Sequence, residues 1–452
     1  MGRRKKIVQE CEELMDKPEN IRNIAIAAHV DHGKCVSGDA RISLADGRVV
    51  EAERLFEEIR ADGEPVADEQ EGYRPAETVE VTSYDRTRGE TGPASVDYAC
   101  RRRADEPLVR IRTSSGHELE TTPEHRYLVL TRSGVTEFER ADNLTEGDTV
   151  VGVRQTPAGA DENAKADLLR HLTREYGFYI TVTDEFNDRL DAHDRERLYE
   201  AANSELKQNS FDHAVWRGQY RLRDILNVCD ELGIDLEELY ANVQSLNYRG
   251  SDQRGEHSSL ELTLPETLEP LFYLAGAYFG DGDCEGNLTN NASEMKAAVR
   301  EHAARLGMEP IVQEFESRGD RIELGGKTLT TLLQAAFEYP EAEKSSSIRV
   351  PEFVFRAGRE ETAAFIRGYL DADGTVEENR SAVSVYSASL GRLEDLQLLL
   401  YQFDVASKLN RSNDACLSER VNPISRNASS ESLPERYSVL FSLLSFDATS
   451  NW

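Results

Sequence analysis

The stretch Ile366-Arg-Gly-Tyr-Leu-Asp-Ala-Asp373-Gly-Thr375 is the second copy of a short internal repeat. The first copy is Leu274-Ala-Gly-Ala-Tyr-Phe-Gly-Asp281-Gly-Asp283, and 92 residues separate Asp281 from Asp373. In both copies small residues recur at helical spacing, which allows two helix backbones to approach closely. We therefore predict that the two helices pack against each other. Each should end at its Asp-Gly, with the Gly in the left-handed conformation that stops a helix.

The ends of these two helices predict a metal site. A carboxylate at a helix C-terminus is disfavoured by the helix dipole, and two such carboxylates brought together also repel each other. A divalent cation between Asp281 and Asp373 removes both conflicts, and Mg²⁺ is the ion that prefers such hard oxygen ligands. The alternative interpretation is a pair of ordinary helix-capping turns, which leaves the repeat unexplained.

The repeat resembles the two motifs of LAGLIDADG (DOD-type) homing endonucleases. The second copy matches the family pattern closely, whereas the first has Phe279 and Gly280 where an acid and Ala are common. The resemblance implies an α+β domain with two pseudo-symmetric halves. It also implies a monomeric nuclease whose Asp281 and Asp373 hold the metals that drive cleavage of double-stranded DNA.

A lysine lies before the second motif. Lys344 and Pro351 match a block of the same family in which the Lys assists proton transfer or stabilises the charge of the transition state. The chain has only 10 Lys against 43 Arg, so a retained Lys at this place is notable. A surface lysine on a loop is the alternative.

A different motif lies near the N-terminus. The run Ala28-His-Val-Asp-His-Gly-Lys34 matches the end of a phosphate-binding loop, with Gly33 and Lys34 at the phosphate-contacting positions. The pattern continues with a hydroxyl that binds Mg²⁺ and with a helix, but Cys35 is a poor Mg²⁺ ligand and a strand-like alternation follows it. The nucleotide site is therefore interrupted at this point.

The segment 1–34 resembles the N-terminus of archaeal elongation factor 2, a translational GTPase. The resemblance rests on the run from Asn20 to Lys34, and in that family the next residue is Thr. It implies that Gly33 and Lys34 bind the phosphates of GTP only in the reconstituted host protein. We expect no GTP binding by this chain alone. The alternative is a translational GTPase, assigned from these 34 residues.

The sequence from Cys35 onward resembles an intein inserted between that Lys and that Thr. Cys35-Val-Ser-Gly-Asp39 resembles the first block of intein splicing domains, and Gly116–Val129 resembles the second, with its T-x-x-H signature at Thr122 and His125. The resemblance implies an all-β Hint fold. Short alternating strands broken by Gly, Pro and Asp turns predict a compact all-β fold without it.

The resemblance also implies the chemistry of these residues. The thiolate of Cys35 would attack the carbonyl carbon of Lys34, an N–S acyl shift that converts the amide into a thioester. His125 suits the protonation of the leaving nitrogen, because its pKa lies near neutrality. The hydroxyl of Thr122 would hold the scissile peptide or its oxyanion. Taken singly, the same residues have ordinary structural explanations.

The chain is therefore predicted to be a multidomain protein. A pair of helices around Gly233 is interpreted as an αα-hairpin and not as a helix-turn-helix, because the second helix is acidic. The C-terminal splicing motifs are not found, since Asn451 follows Ser and precedes Trp. The predicted segments are 1–34 (host flank), 35–154 (N-terminal half of the Hint domain), 155–265 (mainly helical linker or DNA-recognition region), 266–412 (endonuclease domain) and 413–452 (uncertain tail).

The composition suggests the working environment. The 452 residues carry a formal net charge of −31, and Lys is scarce among the cations, which is typical of proteins from salt-loving organisms. Concentrated salt screens the repulsion between such a protein and DNA. We expect a cytoplasmic protein of a halophilic archaeon that acts on a long DNA site spanning the intein insertion point, without a membrane. An inactive intein relic is the alternative.

Overall fold

The computed structural model describes most of the chain. The described residues are 23–27, 35–66, 71–85, 89–104, 107–153, 155–159, 161–173, 177–248, 262–263, 267–315, 319–324, 327–341, 348–377, 382–412 and 436–442. Two compact units are formed. The first comprises Met1–Pro157 with Leu400–Asn410, and the second comprises Ala158–Leu399 with Arg411–Trp452. The division predicted at 154, 265 and 412 stays a prediction.

The first unit consists mainly of short strands. They are β1 (Asn23–Ala27), β2 (Val36–Ser37), β3 (Arg41–Ser43), β4 (Val49–Glu51), β5 (Glu64–Pro65), β6 (Gly72–Arg74), β7 (Glu80–Asp85), β8 (Glu90–Ser95), β9 (Tyr98–Arg102), β10 (Val109–Arg112), β11 (Glu118–Thr121), β12 (Arg126–Leu130), β13 (Thr136–Arg140) and β14 (Thr149–Val150). The strand-rich character predicted for 35–154 is thereby confirmed.

Seven of these strands form one sheet, in the order β10-β11-β2-β1-β9-β6-β5. A second sheet has the order β13-β12-β14, and β3-β4 and β7-β8 form pairs. One helix, α1 (Ala52–Asp62), was not predicted; it buries Ala52, Leu55, Phe56 and Ile59 in the core of this unit. Their spacing at i, i+3, i+4 and i+7 is the pattern of an amphipathic helix. Cys35 directly precedes β2, and β2 lies within the main sheet between β11 and β1.

The second unit mixes helices and strands. Its elements are α2 (Asp161–Leu172), β15 (Phe178–Val182), α3 (Asp184–Asp191), α4 (Arg195–Ala202), α5 (Gln208–Arg217), β16 (Gln219–Arg221), α6 (Leu222–Leu232), α7 (Leu236–Ala241), β17 (Val243–Tyr248), β18 (Leu262–Thr263), α8 (Glu269–Asp281), β19 (Asn287–Thr289), α9 (Ser293–Arg305), β20 (Ile311–Gln313), β21 (Arg321–Glu323), α10 (Lys327–Phe337), α11 (Glu352–Arg356), α12 (Arg359–Asp373), β22 (Gly374–Glu377), β23 (Ala382–Ser387) and β25 (Arg436–Ser442). The division between the units falls within α13 (Leu390–Gln402) and β24 (Ser407–Ser412).

Two antiparallel sheets follow the repeated helices. The sheet β19-β21-β20 comes after α8, and the strands β22-β23-β25 come after α12. The two helices predicted around Gly233 are confirmed as α6 and α7, and Gly233 has a φ of 68°. An antiparallel sheet with the order β16-β15-β17-β18 was not predicted. Among the residues that the structure describes, no helix combines the length and the apolar character needed to cross a membrane.

Candidate functional site

The repeated helices α8 and α12 pack backbone against backbone. A Cβ built on Gly276 would overlap the carbonyl oxygen of Phe365 and lie 2.9 Å from the backbone nitrogen of Tyr369. The arrangement is reciprocal, because a Cβ on Gly368 would overlap the carbonyl oxygen of Tyr273. No other residue type fits at these two positions without moving a helix. The predicted close approach of the two helices is therefore confirmed.

The same packing brings the two predicted metal ligands to adjacent helix ends. Asp281 is the last residue of α8, and Asp373 is the last residue of α12. A Cβ built on Gly280 would lie 3.5 Å from the backbone nitrogen of Asp373, so the two helices still touch at their final turn. Both aspartates are partly exposed. Asp281 also accepts a hydrogen bond of 2.5 Å from the side-chain amide of Asn290, just beyond β19.

The helix stop differs from our expectation. Gly282 has φ −76° and ψ 151°, and Gly374 has φ −76° and ψ 144°, so both are extended and neither is left-handed. The prediction of a left-handed stop was wrong. A Cβ on Gly374 would overlap the carbonyl oxygen of Leu370, one turn back, and a Cβ on Gly282 would press against Tyr278 in the same way. The glycines are required for space, not for a positive φ.

The donor set at this junction fits a hard divalent cation. Two carboxylates stand at helix C-termini, where backbone carbonyl oxygens also point outward, and all of these are oxygen donors of the kind that Mg²⁺ or Mn²⁺ prefers. Within the described ranges no group of three or more His, Cys, Asp and Glu side chains forms a metal site. Asp281 and Asp373 are the residues that would hold such an ion, and the remaining ligands would come from carbonyl oxygens, water or substrate phosphate.

Asp283, also part of the first motif, has a structural role. Its Oδ1 accepts hydrogen bonds from the backbone N–H groups of Glu285 (2.9 Å) and Asn287 (2.8 Å). These bonds fix the turn that joins α8 to β19. Asp283 therefore orients the chain directly after Asp281.

Arg392 is a residue of this junction that the sequence analysis missed. It is only 8% exposed, and its guanidinium donates to the carbonyl oxygen of Phe279 in the last turn of α8 (2.6 Å) and to the hydroxyl of Ser387 (2.7 Å). It also lies 5.4 Å from the ring centre of Tyr369 in α12. Burial raises the pKa of Tyr369, so its phenol stays neutral. A buried cation thus compensates the negative end of α8.

Three further predicted residues cannot be placed. Lys344, Gly33 and Lys34 lie outside the described residues. The assisting role assigned to Lys344 and the phosphate-binding role assigned to Gly33 and Lys34 stay predictions.

The structure brings Thr122 to Cys35. The backbone N–H of Cys35 donates to the hydroxyl oxygen of Thr122 (3.3 Å), and the backbone N–H of Thr122 donates to the carbonyl oxygen of Cys35 (3.0 Å). The pairing of Thr121 with Val36, between β11 and β2, sets this register. The nitrogen held by Thr122 is that of the Lys34–Cys35 peptide bond, which is the nitrogen that leaves in an N–S acyl shift.

His125 lies on the turn that follows Thr122. Its backbone N–H donates to the carbonyl oxygen of Thr122 (3.0 Å), and its ring packs edge-on against Tyr127, with 5.2 Å between ring centres. The side chain of Cys35 is buried and packs with Cys100 and Tyr98. The turn from Thr122 to His125 thus presents a hydroxyl and an imidazole from one short segment.

A family model described as a LAGLIDADG-like domain matches residues 360–431, which include Asp373. Elongation factor 2 of Methanopyrus kandleri is 40% identical over 423 residues, 92% of this chain and 33% of that protein. A probable translation initiation factor IF-2 of Thermococcus kodakarensis is 32% identical over 398 residues, 86% of this chain and 32% of that protein. Elongation factor 2 of Natronomonas pharaonis is 59% identical over 71 residues, 16% of this chain and 9% of that protein.

The chain therefore spans about a third of the length of the first two relatives. Among solved structures, the TvoVMA intein is 29% identical and covers 27% of this chain and 72% of its own, with a TM-score of 0.25. The structure of I-DmoI in complex with DNA and Mn is 13% identical and covers 39% of this chain and 90% of its own, with a TM-score of 0.24. The predicted resemblances to halophile-type elongation factor 2 and to LAGLIDADG domains are confirmed, and inteins are among the similar solved structures.

Proposed function

Because the chain carries elongation factor 2 sequence and a LAGLIDADG-like domain, we propose that it is an intein-containing fragment whose endonuclease cuts the intein-less elongation factor 2 gene. The observation that carries this proposal is the packing of α8 against α12, which puts Asp281 and Asp373 at adjacent helix ends. Two hard-ligand carboxylates at one junction suit metal-assisted phosphodiester hydrolysis.

The pattern of relatives supports an inserted segment. Residues 1–34 are a small part of the chain, so the match to 92% of it in Methanopyrus elongation factor 2 extends far beyond the host flank. A relative with a different name, the initiation factor, matches 86% of the chain within a third of its own length. The same segment thus matches both an elongation factor and an initiation factor. That is expected of a mobile insert and not of the host sequence.

The elements that follow the two motifs suggest how DNA is bound. Each repeated helix leads into antiparallel strands, β19-β21-β20 after α8 and β22-β23-β25 after α12. This order supports two pseudo-symmetric halves in a monomeric enzyme that lays its strands along a long double-stranded site. Mg²⁺ bound by Asp281 and Asp373 would activate water and stabilise the leaving oxygen. Lys344, which precedes the second motif in the sequence, would assist the reaction.

The test is cleavage of plasmid DNA that carries the intein-less gene, in concentrated KCl with Mg²⁺. We expect one double-strand break at the insertion point and no break in a plasmid whose gene contains the intein. Asp281→Asn and Asp373→Asn should each abolish the break. The matched control is Asp371→Asn, which removes a carboxylate on the exposed side of α12, two residues before Asp373. Intact DNA with the wild-type chain, or full cleavage by the first two variants, contradicts the proposal.

The Cys35 site supports a second function, self-processing at Lys34–Cys35. The thiolate of Cys35 attacks the carbonyl carbon of Lys34, the carbon–nitrogen bond breaks, and the nitrogen of Cys35 takes up a proton to become the free amine. Thr122 holds that nitrogen in the structure. His125, one turn along, is the proposed source of the proton. An added thiol then releases the N-terminal peptide by thioester exchange.

Mass spectrometry after incubation with dithiothreitol tests this chemistry. We expect release of residues 1–34, loss of that product in Cys35→Ala, and a strong reduction in Thr122→Val. The control is Cys229→Ala, because burial raises the pKa of the Cys229 thiol to about 12 and leaves it unreactive at neutral pH. Release from Cys35→Ala would disprove the mechanism.

We propose GTP binding through Gly33 and Lys34 only for the spliced host protein. We propose a cytoplasmic location for this chain and for the spliced host.

A further inference from the structure

A second candidate for DNA contact lies in the module between β15 and β17. Helix α4 is followed by a five-residue turn and by helix α5. The ring of Tyr199 in α4 packs edge-on against Phe211 in α5, with 5.6 Å between ring centres, and the guanidinium of Arg195 donates to the carbonyl oxygen of Asp212 (3.1 Å). Two short helices joined by a fixed turn resemble a helix-turn-helix, whose turn is usually about three or four residues long.

The turn between the two helices is held firmly. It starts at Asn203, which has a φ of 44°, and the hydroxyl of Tyr199 donates to the carbonyl oxygen of Leu206 (2.7 Å). The hydroxyl of Ser204 donates to the carboxylate of Asp224 (2.6 Å), a buried residue of α6. Because α6 holds the turn, the direction in which α5 projects is set by the fold.

One face of α5 is exposed, and its one carboxylate, Asp212, is half-buried. Phe211 and Val215 are buried, whereas the outer side is exposed and consists of Gln208, Asn209, Ser210, His213, Trp216 and Arg217, which we term the α5 face. Trp216 is 71% exposed. Within α5, all of which is described, no exposed side chain is a carboxylate.

The local charge differs from that of the whole chain. Residues 207–223 contain four cations, Lys207, Arg217, Arg221 and Arg223, and only one carboxylate, Asp212. The stretch has a net charge of +3, although Glu205, just before it, pairs with Arg221 (3.8 Å). The exposed Lys207 and Arg217 stand at the two ends of α5, where they complement a polyanion and not an acidic protein.

We propose that α5 is a recognition helix that enters the major groove of duplex DNA beside the cleavage site. The inference rests on the proposed endonuclease function and assigns a role to this module. The amides of Gln208 and Asn209 can pair with the N6 and N7 edge of adenine. Arg217 can reach a guanine or a phosphate, Trp216 offers an apolar contact to a thymine methyl group, and Arg197 on α4 faces the DNA backbone.

The proposed recognition helix is not one of the two helices that the sequence predicted around Gly233. The helices α6 and α7 surround Gly233, but the second carries Glu237 and Glu238 at its N-terminus, where base contacts would be made. In the structure α6 instead holds α4 and the turn before α5, because Asp224 accepts from Ser204 and the side-chain amide of Asn227 donates to the carbonyl oxygen of Ala202 (2.9 Å).

The test measures binding to a labelled duplex of the intein-less elongation factor 2 gene that extends several helical turns to either side of the insertion point. Ca²⁺ replaces Mg²⁺ so that the DNA stays intact. We expect the Asn209→Ala and Arg217→Ala variants to raise the dissociation constant about tenfold each, since one base contact contributes that much or more. Arg132→Ala, an exposed arginine in the β12–β13 hairpin of the other unit, should leave it unchanged.

Hydroxyl-radical footprinting supplies the second readout. The α5 variants should lose protection over about five base pairs at one end of the site, half a helical turn, and retain it around the cleavage point. Circular dichroism should show the same helix content in each variant. If the wild type cuts DNA and the α5 variants bind and protect it as the wild type does, the α5 assignment is wrong while the endonuclease stands. If the wild type neither binds nor cuts, the endonuclease proposal fails and this inference fails with it.

Discussion

The helices α8 and α12 carry the same motif in different surroundings. Every residue from Pro270 to Phe279 of α8 is buried. Helix α12 instead keeps Arg359, Glu360 and Asp371 exposed. Their contact is nevertheless reciprocal, because each contributes one glycine whose missing side chain admits a carbonyl oxygen of the other helix. The comparison teaches that the motif specifies the shared interface and the terminal aspartate, while the outer face of each helix follows its own neighbours.

The same contrast explains why the copies look unequal as sequences. Helix α8 is surrounded by other elements and has apolar or small residues at Phe279 and Gly280, where the second copy has Asp371 and Ala372. Asp371 lies on an exposed side of its helix, whereas Phe279 is buried. The acid that the family pattern leads one to expect in the first copy would there be a buried charge, which costs several kcal/mol unless it is paired.

The largest expected effect breaks the shared interface. Gly368→Val puts a branched side chain where even a Cβ would overlap the carbonyl oxygen of Tyr273 and lie 3.0 Å from the nitrogen of Ala277. The helices must separate, and the second unit should lose about 3 kcal/mol of unfolding free energy. Urea denaturation in concentrated KCl measures this loss.

The control for this substitution is Gly92→Val, because no described atom lies within 4 Å of a Cβ built there. It should change the midpoint only slightly. Equal midpoints for the two variants would show that the close approach of α8 and α12 does not hold in solution. Gly276→Val is expected to repeat the effect of Gly368→Val from the other side of the interface.

This interface was predictable from the sequence, but the backbone conformation of the glycines that follow the two helices was not. Small residues at helical spacing and a repeated Asp-Gly are local signals, and they identified the helix pair and both aspartates. The conformation of Gly374 was predicted wrongly, because a glycine after a helix usually serves a positive φ. Here the carbonyl of Leu370 leaves no space for a side chain, a constraint that depends on how the chain turns into β22.

The second expected effect distinguishes the C-terminal end of α8 from that of α12. Arg392→Met removes the guanidinium that donates to the carbonyl oxygen of Phe279, and methionine fills a similar volume without a charge. We expect a loss of about 2 kcal/mol, typical of buried hydrogen bonds from charged groups. Amide hydrogen exchange should accelerate more at Gly282, after α8, than at Gly374, after α12.

Arg300→Met is the matched control, since Arg300 is an exposed arginine of α9. Equal acceleration at both glycines in Arg392→Met would mean that the arginine supports the whole unit and not the end of α8. Arg392 escaped the sequence analysis because an arginine on an amphipathic helix is usually solvated. Its burial depends on Phe279, 113 residues away in the chain.

A smaller effect concerns the opposite end of the pair, where α8 begins. Glu269 forms ion pairs with Arg305 of α9 and with Arg367 of α12 (2.6 Å). Burial alone would raise the pKa of Glu269, but these arginines outweigh it and the pKa is lowered. A lowered carboxylate pKa gives stability above the unfolded-state pKa, near 4.5, and that stability is lost as the pH falls through the folded-state value.

The wild type should therefore be about 1 kcal/mol more stable than Glu269→Gln at neutral pH, and the difference should vanish in strong acid. Denaturation midpoints measured from pH 7 downward test this. His302 contributes a loss of stability in the same direction in both proteins, because burial lowers its pKa and its protonation opposes folding. Because Glu269 faces His302 (4.0 Å), the test is the acid end of the titration: a difference that persists undiminished in strong acid would contradict the ion pairs.

The smallest expected effect tests a second side-chain hydrogen bond between α8 and α12. The hydroxyl of Tyr273 in α8 donates to the carboxylate of Asp371 in α12 (2.8 Å), and the ring stacks on His302 at 3.9 Å between centres. Tyr273→Phe keeps the ring and removes only the donor, so we expect a loss of about 0.5 kcal/mol. Asp371 is exposed and can bond to water instead, which limits the cost. Asp371→Ala removes the acceptor, so combining it with Tyr273→Phe should cost less than the sum of the two single variants. A clearly additive double variant would show that each residue has a separate partner in solution.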